Sequence, residues 1–299
     1  MRSFLSLLAV LSVSMLFLPT RGEAFLLDEW AEILVGEDAQ KIRDQSNPPT
    51  QLWEETLSGM TFIFVKGGCY KMGSPPYAHE RDADEDPVHR VCLSDFWMGK
   101  KEVTQAQWRT IMHSNPAYFQ KGDRHPVERV DHDEVLRLTQ RLNKLYNGKA
   151  TFRLPTEAEW EYVCRDGGLR EPFPGSHFID KLGFYRENSS NSTQPTGTLF
   201  PNRLGFHDLS GNVWEWVQDS YDRLGYGKHQ TNSPVVETKG LYKVIRGGSW
   251  REGESALRCA NRGFEHAGKK RPDIGVRLVV MVKAQEKKEP LPDINVIPF

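Results

Sequence analysis

Gly205–Tyr221 reads GFHDLSGNVWEWVQDSY. Two tryptophans one residue apart, Trp214 and Trp216, follow a turn signal, Ser210-Gly211-Asn212. Asp208 and Glu215 stand seven residues apart, and Gly211 between them permits a sharp turn that can point peptide carbonyls inward. Carboxylates mixed with backbone carbonyls are the donor set of a hard cation such as calcium. The plainer reading of the same residues is that Asp208 caps a turn and Glu215 pairs with an arginine.

Outward from this block, three helices are legible by their starts. Thr104 caps a helix through Met112, with Trp108, Ile111 and Met112 inward. Asp131 with Glu134 opens a second, whose Val135, Leu138, Leu142, Leu145 and Tyr146 share one face until Asn147-Gly148 ends it. Thr156 and Glu159 make the T-x-x-E capping box of a third. Met60–Met72 alternates like one strand, and Val91–Trp97 reads as another. Pro75–His89 is a polar, acidic loop. Beyond Cys164 the chain is rich in Gly, Asn, Pro and Ser, broken by short aromatic strands. So much irregular chain needs tryptophan packing, disulfides or metal to hold it. No period of 20 to 50 residues marks a repeat array.

The ends differ from this core. Arg2 followed by the apolar run Phe4–Leu18 and by Gly22-Glu23-Ala24 reads as a secretory signal peptide, residues 1–24, cleaved after Ala24. The remaining protein is then expected to be periplasmic or secreted, without membrane insertion, where cysteines pair. Residues 25–59 read as a helical extension and linker, with Phe25, Leu26, Trp30, Ile33 and Leu34 at helical spacing. Lys283–Phe299 reads as an extended tail. The body between is expected at residues 60–282. The 299 residues carry 39 Lys plus Arg against 40 Asp plus Glu, a net charge of −1, so nothing draws the chain to nucleic acid or an anionic membrane. The 38% hydrophobic and 26% charged composition excludes collagen and coiled coil.

Several blocks, in order, resemble the formylglycine-generating enzyme or sulfatase-modifying factor family. They are GGCYKMGS (Gly67–Ser74), FWMGKKEVTQAQW (Phe96–Trp108), FRLPTEAEWEYVCRDGG (Phe152–Gly168), the opening block, RGGSW (Arg246–Trp250), RCANRG (Arg258–Gly263) and IGVRLV (Ile274–Val279). The resemblance implies an α+β fold, a C-type-lectin-like variant with little regular secondary structure. It also implies calcium at Asp208 and Glu215 with the carbonyls of Gly211 and Val213. The four cysteines, Cys69, Cys92, Cys164 and Cys259, allow three pairings. The resemblance implies Cys164–Cys259, which leaves Cys69 and Cys92 on neighbouring strand candidates as a second bridge.

The family spans copper oxidases that convert a sulfatase cysteine to formylglycine, iron-dependent sulfoxide synthases, a siderophore maturation factor and binding proteins without known catalysis. The fold therefore does not fix the activity. The oxidases hold Cu(I) between two thiolates lying between GGS and RCA, and soft sulfur is what Cu(I) selects. Here that window, Trp250–Leu257, has no cysteine. Copper is therefore not expected. Ser249 matches the family's active-site serine. Glu252 and Glu254 are the candidate acid, base or ligand groups of a re-purposed pocket framed by Trp250, Arg258 and Arg262; the same window also reads as a solvated surface loop. The expected activity is maturation of an exported protein, peptide or peptide-like metabolite, and the competing class is a lectin-like binding or assembly module.

Overall fold

The computed structural model describes residues 51–175, 179–238 and 240–282. The leader, the stretch Phe25–Gln45 and the tail Lys283–Phe299 lie outside them. The fold is α+β. Among the described residues, three helices, α1 (Gln105–Met112), α2 (His132–Tyr146) and α3 (Glu157–Cys164), accompany eleven short strands.

A five-stranded sheet has the order β1 (Leu52–Glu54), β2 (Thr61–Val65), β5 (Phe96–Gly99), β11 (Val279–Val282) and β6 (Ala150–Arg153). A second sheet is ordered β10 (Ile274–Val276), β7 (Trp214–Ser220), β8 (Tyr242–Arg246), β9 (Gly263–His266), with β10 and β7 parallel. A two-stranded ladder joins β3 (Cys69–Met72) to β4 (His89–Cys92).

Each helix starts where its cap residue can take the orphan amide. Thr104, Asp131 and Thr156 accept from the amides of Gln107, Glu134 and Glu159, and each of those side chains returns a bond to its cap's backbone. Such reciprocal caps satisfy two donors at once. Behind them Val135, Leu138 and Leu142 of α2 are buried with Trp108 and Ile111 of α1. Leu145, expected on the same face, is 53% exposed in the last turn. Trp160 and Trp216 are completely buried, in the two main apolar clusters.

The single strands expected over Met60–Met72 and Val91–Trp97 are each two strands in different sheets. The break is steric. Gly67 lies so close to the backbone of Leu93 that a Cβ there would stand 2.3 Å from the Leu93 carbonyl oxygen. Here the Leu93 amide donates to the Gly68 carbonyl at 2.9 Å, and on either side of this point the chain joins different sheets. The folded body also begins before Met60, because β1 pairs with β2 through Leu52↔Ile63 and Glu54↔Thr61.

Both disulfides form, Cys69–Cys92 and Cys164–Cys259. The first joins facing residues of β3 and β4; the second ties the end of α3 to the loop after Leu257. All four cysteines of the chain are thereby used.

Candidate functional site

The sequence-based site residues fall in three places. The first surrounds Ser249, on the loop between β8 and β9. Its side chain is fully buried, and its hydroxyl donates to Asp273 Oδ2 at 3.3 Å. Asp273, also fully buried just before β10, accepts from Arg271 Nε at 2.9 Å and Nη2 at 2.6 Å. That bidentate fork fixes the carboxylate plane. Arg271 also reaches Glu265, at 3.1 Å, and Glu252, at 3.9 Å. Trp250 is half-buried, its indole N–H donating to the Pro272 carbonyl. Its ring meets Phe119 edge-on at 5.3 Å, and Arg251 lies over its other side at 5.9 Å.

Glu128 belongs to this neighbourhood and was not singled out from the sequence. It is fully buried; one oxygen accepts the Phe119 amide at 2.7 Å and the other has no partner. Burial raises its pKa to about 7, and the nearby charge of Asp273 adds to the rise. The result is a carboxyl near half-protonation at neutral pH, the range useful for proton transfer. Its only signal in the sequence is an acid set among apolar residues in His125-Pro126-Val127-Glu128-Arg129-Val130, too weak to read alone.

The second place is the block that opened the sequence. Gly211, at φ +83°, runs against the Phe184 carbonyl, where a Cβ would stand 2.1 Å away. Asn212 then donates to Glu102, as does the Val213 amide. Glu215 is held by Arg277 through its Nε and Nη2, at 2.7–3.1 Å, and by the Trp160 indole at 2.7 Å. Asp208 accepts the Gly197 amide with one oxygen; its other oxygen is buried without a partner. Three buried carboxylates, Glu102, Asp208 and Glu215, thus lie near one cation, Arg277, which is bonded to Glu215. Burial and mutual repulsion raise Glu102 well above its ordinary pKa, and burial raises Asp208 to about 6. Among the described residues no three His, Cys, Asp or Glu side chains already stand as a metal-holding group.

The third place is an ionic network under the Cys164–Cys259 bridge. Arg262 binds Glu157 with Nε at 2.7 Å and stacks over Tyr226 at 4.2 Å; its side chain is fully buried, so it lines no pocket at Ser249. Arg246 reaches Glu161 at 2.6 Å and the carbonyls of Cys259, Ala260 and Asn261. Arg258 binds Glu85 through both terminal nitrogens. With Glu254 it borders a different cavity, lined by residues 73–80. The expected set is therefore divided: Ser249, Trp250 and Glu252 come together, while Glu254 and Arg258 face elsewhere and Arg262 is structural.

The family profile of the Sulfatase-modifying factor enzyme 1-like domain matches residues 49–282. The chaperone protein LppX of Paenibacillus barcinonensis is 28% identical over 270 residues, covering 73% of this chain and 88% of that one. The serine/threonine-protein kinase Pkn1 of Chlamydia trachomatis is 30% identical over 245 residues, which cover 74% of this chain but only 38% of the kinase. Among solved structures, PvdO from Pseudomonas aeruginosa superposes with a TM-score of 0.71 at 25% identity, covering 79% of this chain and all of PvdO.

Proposed function

Because the chain belongs to the sulfatase-modifying factor family, we propose that it is a maturation factor acting outside the cytoplasm on an exported protein, peptide or peptide-like metabolite, without the family's thiolate copper centre. One observation carries the reading. A buried serine hydroxyl on Asp273, a carboxyl of pKa about 7 at Glu128 and a half-exposed aromatic pair, Phe119 and Trp250, converge in one neighbourhood. Aromatic faces suit an extended peptide, and the buried polar groups suit proton movement. Two disulfides and the signal-peptide reading of residues 1–24 support export.

Every cysteine is in a disulfide, and carboxylates are hard ligands that do not replace two thiolates on Cu(I). Purified protein incubated with a cysteine-containing sulfatase peptide, copper and oxygen is expected to leave that cysteine unchanged by mass spectrometry; conversion to formylglycine overturns this part of the proposal. Ser249→Ala and Glu128→Gln in the native host are expected to abolish maturation at unchanged protein abundance. Survival of full function in both favours the second reading, a binding or assembly module. That reading draws support from the name of LppX, since chaperoning requires surface and no chemistry.

Calcium is proposed as a structural ion at Asp208. The fit rests on its unpartnered buried oxygen and on two further buried carboxylates, Glu102 and Glu215, close by with a single arginine bonded to Glu215. Asp208 with the carbonyls of Gly211 and Val213 would hold the ion, whose chemistry would be charge neutralisation and loop anchoring. Glu215 would join only by loosening its bonds to Arg277 or Trp160. Chelation is expected to lower the melting temperature and calcium to restore it. An unchanged melting curve together with no bound calcium by elemental analysis removes the proposal.

A further inference from the structure

Away from Ser249, a cavity of about 540 Å³ lies between the loop at residues 73–80 and the Cys164–Cys259 bridge. That volume is within the range of small-molecule sites. It shares none of the residues around Ser249. Arg165 and Arg258, each next in sequence to a bridged cysteine, supply its polar side. Both are 6% exposed and fixed from behind. Arg165 is held by Glu161 at 2.9 Å and by the Gly73 carbonyl, and Arg258 by Glu85. The two acids and the Gly73 carbonyl therefore set the positions of the two guanidinium groups. Arg165 donates through Nε and Nη2, while Nη1 makes no hydrogen bond to any described residue. Glu80 and Glu254 also border the space. The remaining wall is Tyr77, 81% exposed at the surface, Phe173, 7% exposed, and three prolines.

The charges decide the ligand class. On the wall Lys71, Arg165, Arg170 and Arg258 stand with Glu80, Glu254 and His79; behind it Glu85 holds Arg258, and Glu161 holds Arg165 while also taking Arg246. The cavity thus presents charges of both signs, and a ligand that carries both suits it better than a simple ion. We propose that this cavity binds a small zwitterion with an apolar body, an α-amino acid of the aromatic class, carboxylate toward Arg165, ammonium toward Glu254 or Glu80, side chain against Tyr77 and Phe173. Guanidinium groups already fixed from behind bind a carboxylate at little ordering cost, which is what preorganisation supplies.

Calorimetric titration of the purified full chain with L-phenylalanine, N-acetyl-L-phenylalanine and L-phenylalaninamide tests it. The first is expected to bind, and loss of either charge to weaken binding by about tenfold, the order expected of one charge-assisted hydrogen bond. Tyr77→Ala, at an exposed position, is expected to weaken L-phenylalanine binding with the melting temperature unchanged. Glu254→Gln is expected to remove the preference over the N-acetyl compound. Ser249→Ala is expected to leave all of these values as they are, so this proposal and the maturation reading fail separately. Equal binding of the three compounds, no binding up to about 10 mM, or indifference to both cavity variants overturns it.

Discussion

Glu128 shows how one side chain couples stability to pH. Its carboxyl is raised from 4.5 to about 7 by burial. A raised acid binds its proton more tightly in the folded chain. Its contribution is therefore fully present below pH 4.5 and is lost as pH rises through about 7. Across that window the wild type is expected to lose stability relative to Glu128→Gln by on the order of 1 kcal/mol per pH unit. Denaturant melts of both proteins from pH 4.5 to 8 check this; a difference that stays flat rejects the assignment. His132 acts in the opposite sense: burial lowers its pKa to about 4, so it favours unfolding as pH falls below 6.5. Comparing two proteins that both keep His132 cancels its effect. Neither residue was legible as titrating. A sequence shows the acid and the imidazole but not the desolvation, which comes from segments far along the chain. Ser249 was legible by its place in Arg246–Trp250, whereas its partner Asp273 comes from 24 residues away.

At the scale of elements, the helix starts were legible because a cap is a local device of four residues. Thr156 with Glu159 is the most consequential of the three. Glu159 also takes Arg153 of β6 in a two-point contact at 2.7 Å, so the box fastens α3 to the five-stranded sheet. Thr156→Ala is expected to lower stability by about 1–2 kcal/mol, read as a shift in the denaturant midpoint; Thr156→Ser should restore most of it. The strands were less legible. Alternation in Thr61–Met72 is continuous in the sequence, and only the approach of a distant backbone to Gly67 shows why it is cut in two. The separation of Glu254 from Glu252 has a local origin. The chain enters the 3₁₀ turn Glu254–Leu257, and Glu254 falls on the wall of the other cavity.

At the scale of the molecule, the two disulfides hold very different spans. Cys69–Cys92 closes 23 residues between adjacent strands, and Cys164–Cys259 closes 95. Chain-entropy arguments give about 3.4 kcal/mol for the shorter loop and about 4.7 kcal/mol for the longer. Replacing Cys164 and Cys259 together by Ala is therefore expected to cost more than replacing Cys69 and Cys92. Equal midpoints for the two double variants would show that native packing, not loop closure, sets the cost.

The order of the large sheet carries a last consequence. Its inner strand β11, Val279–Val282, comes from the very end of the folded body, yet it stands between β5 and β6. Until residue 282 has emerged from the ribosome, β1, β2 and β5 lack the neighbour that joins them to β6. A nascent chain halted anywhere earlier leaves Phe152 and Met98 without their covering ladder. The final strand works as a keystone: a chain that stops before Val279 keeps β1, β2 and β5 on one side and β6 on the other, with nothing between them to close the sheet.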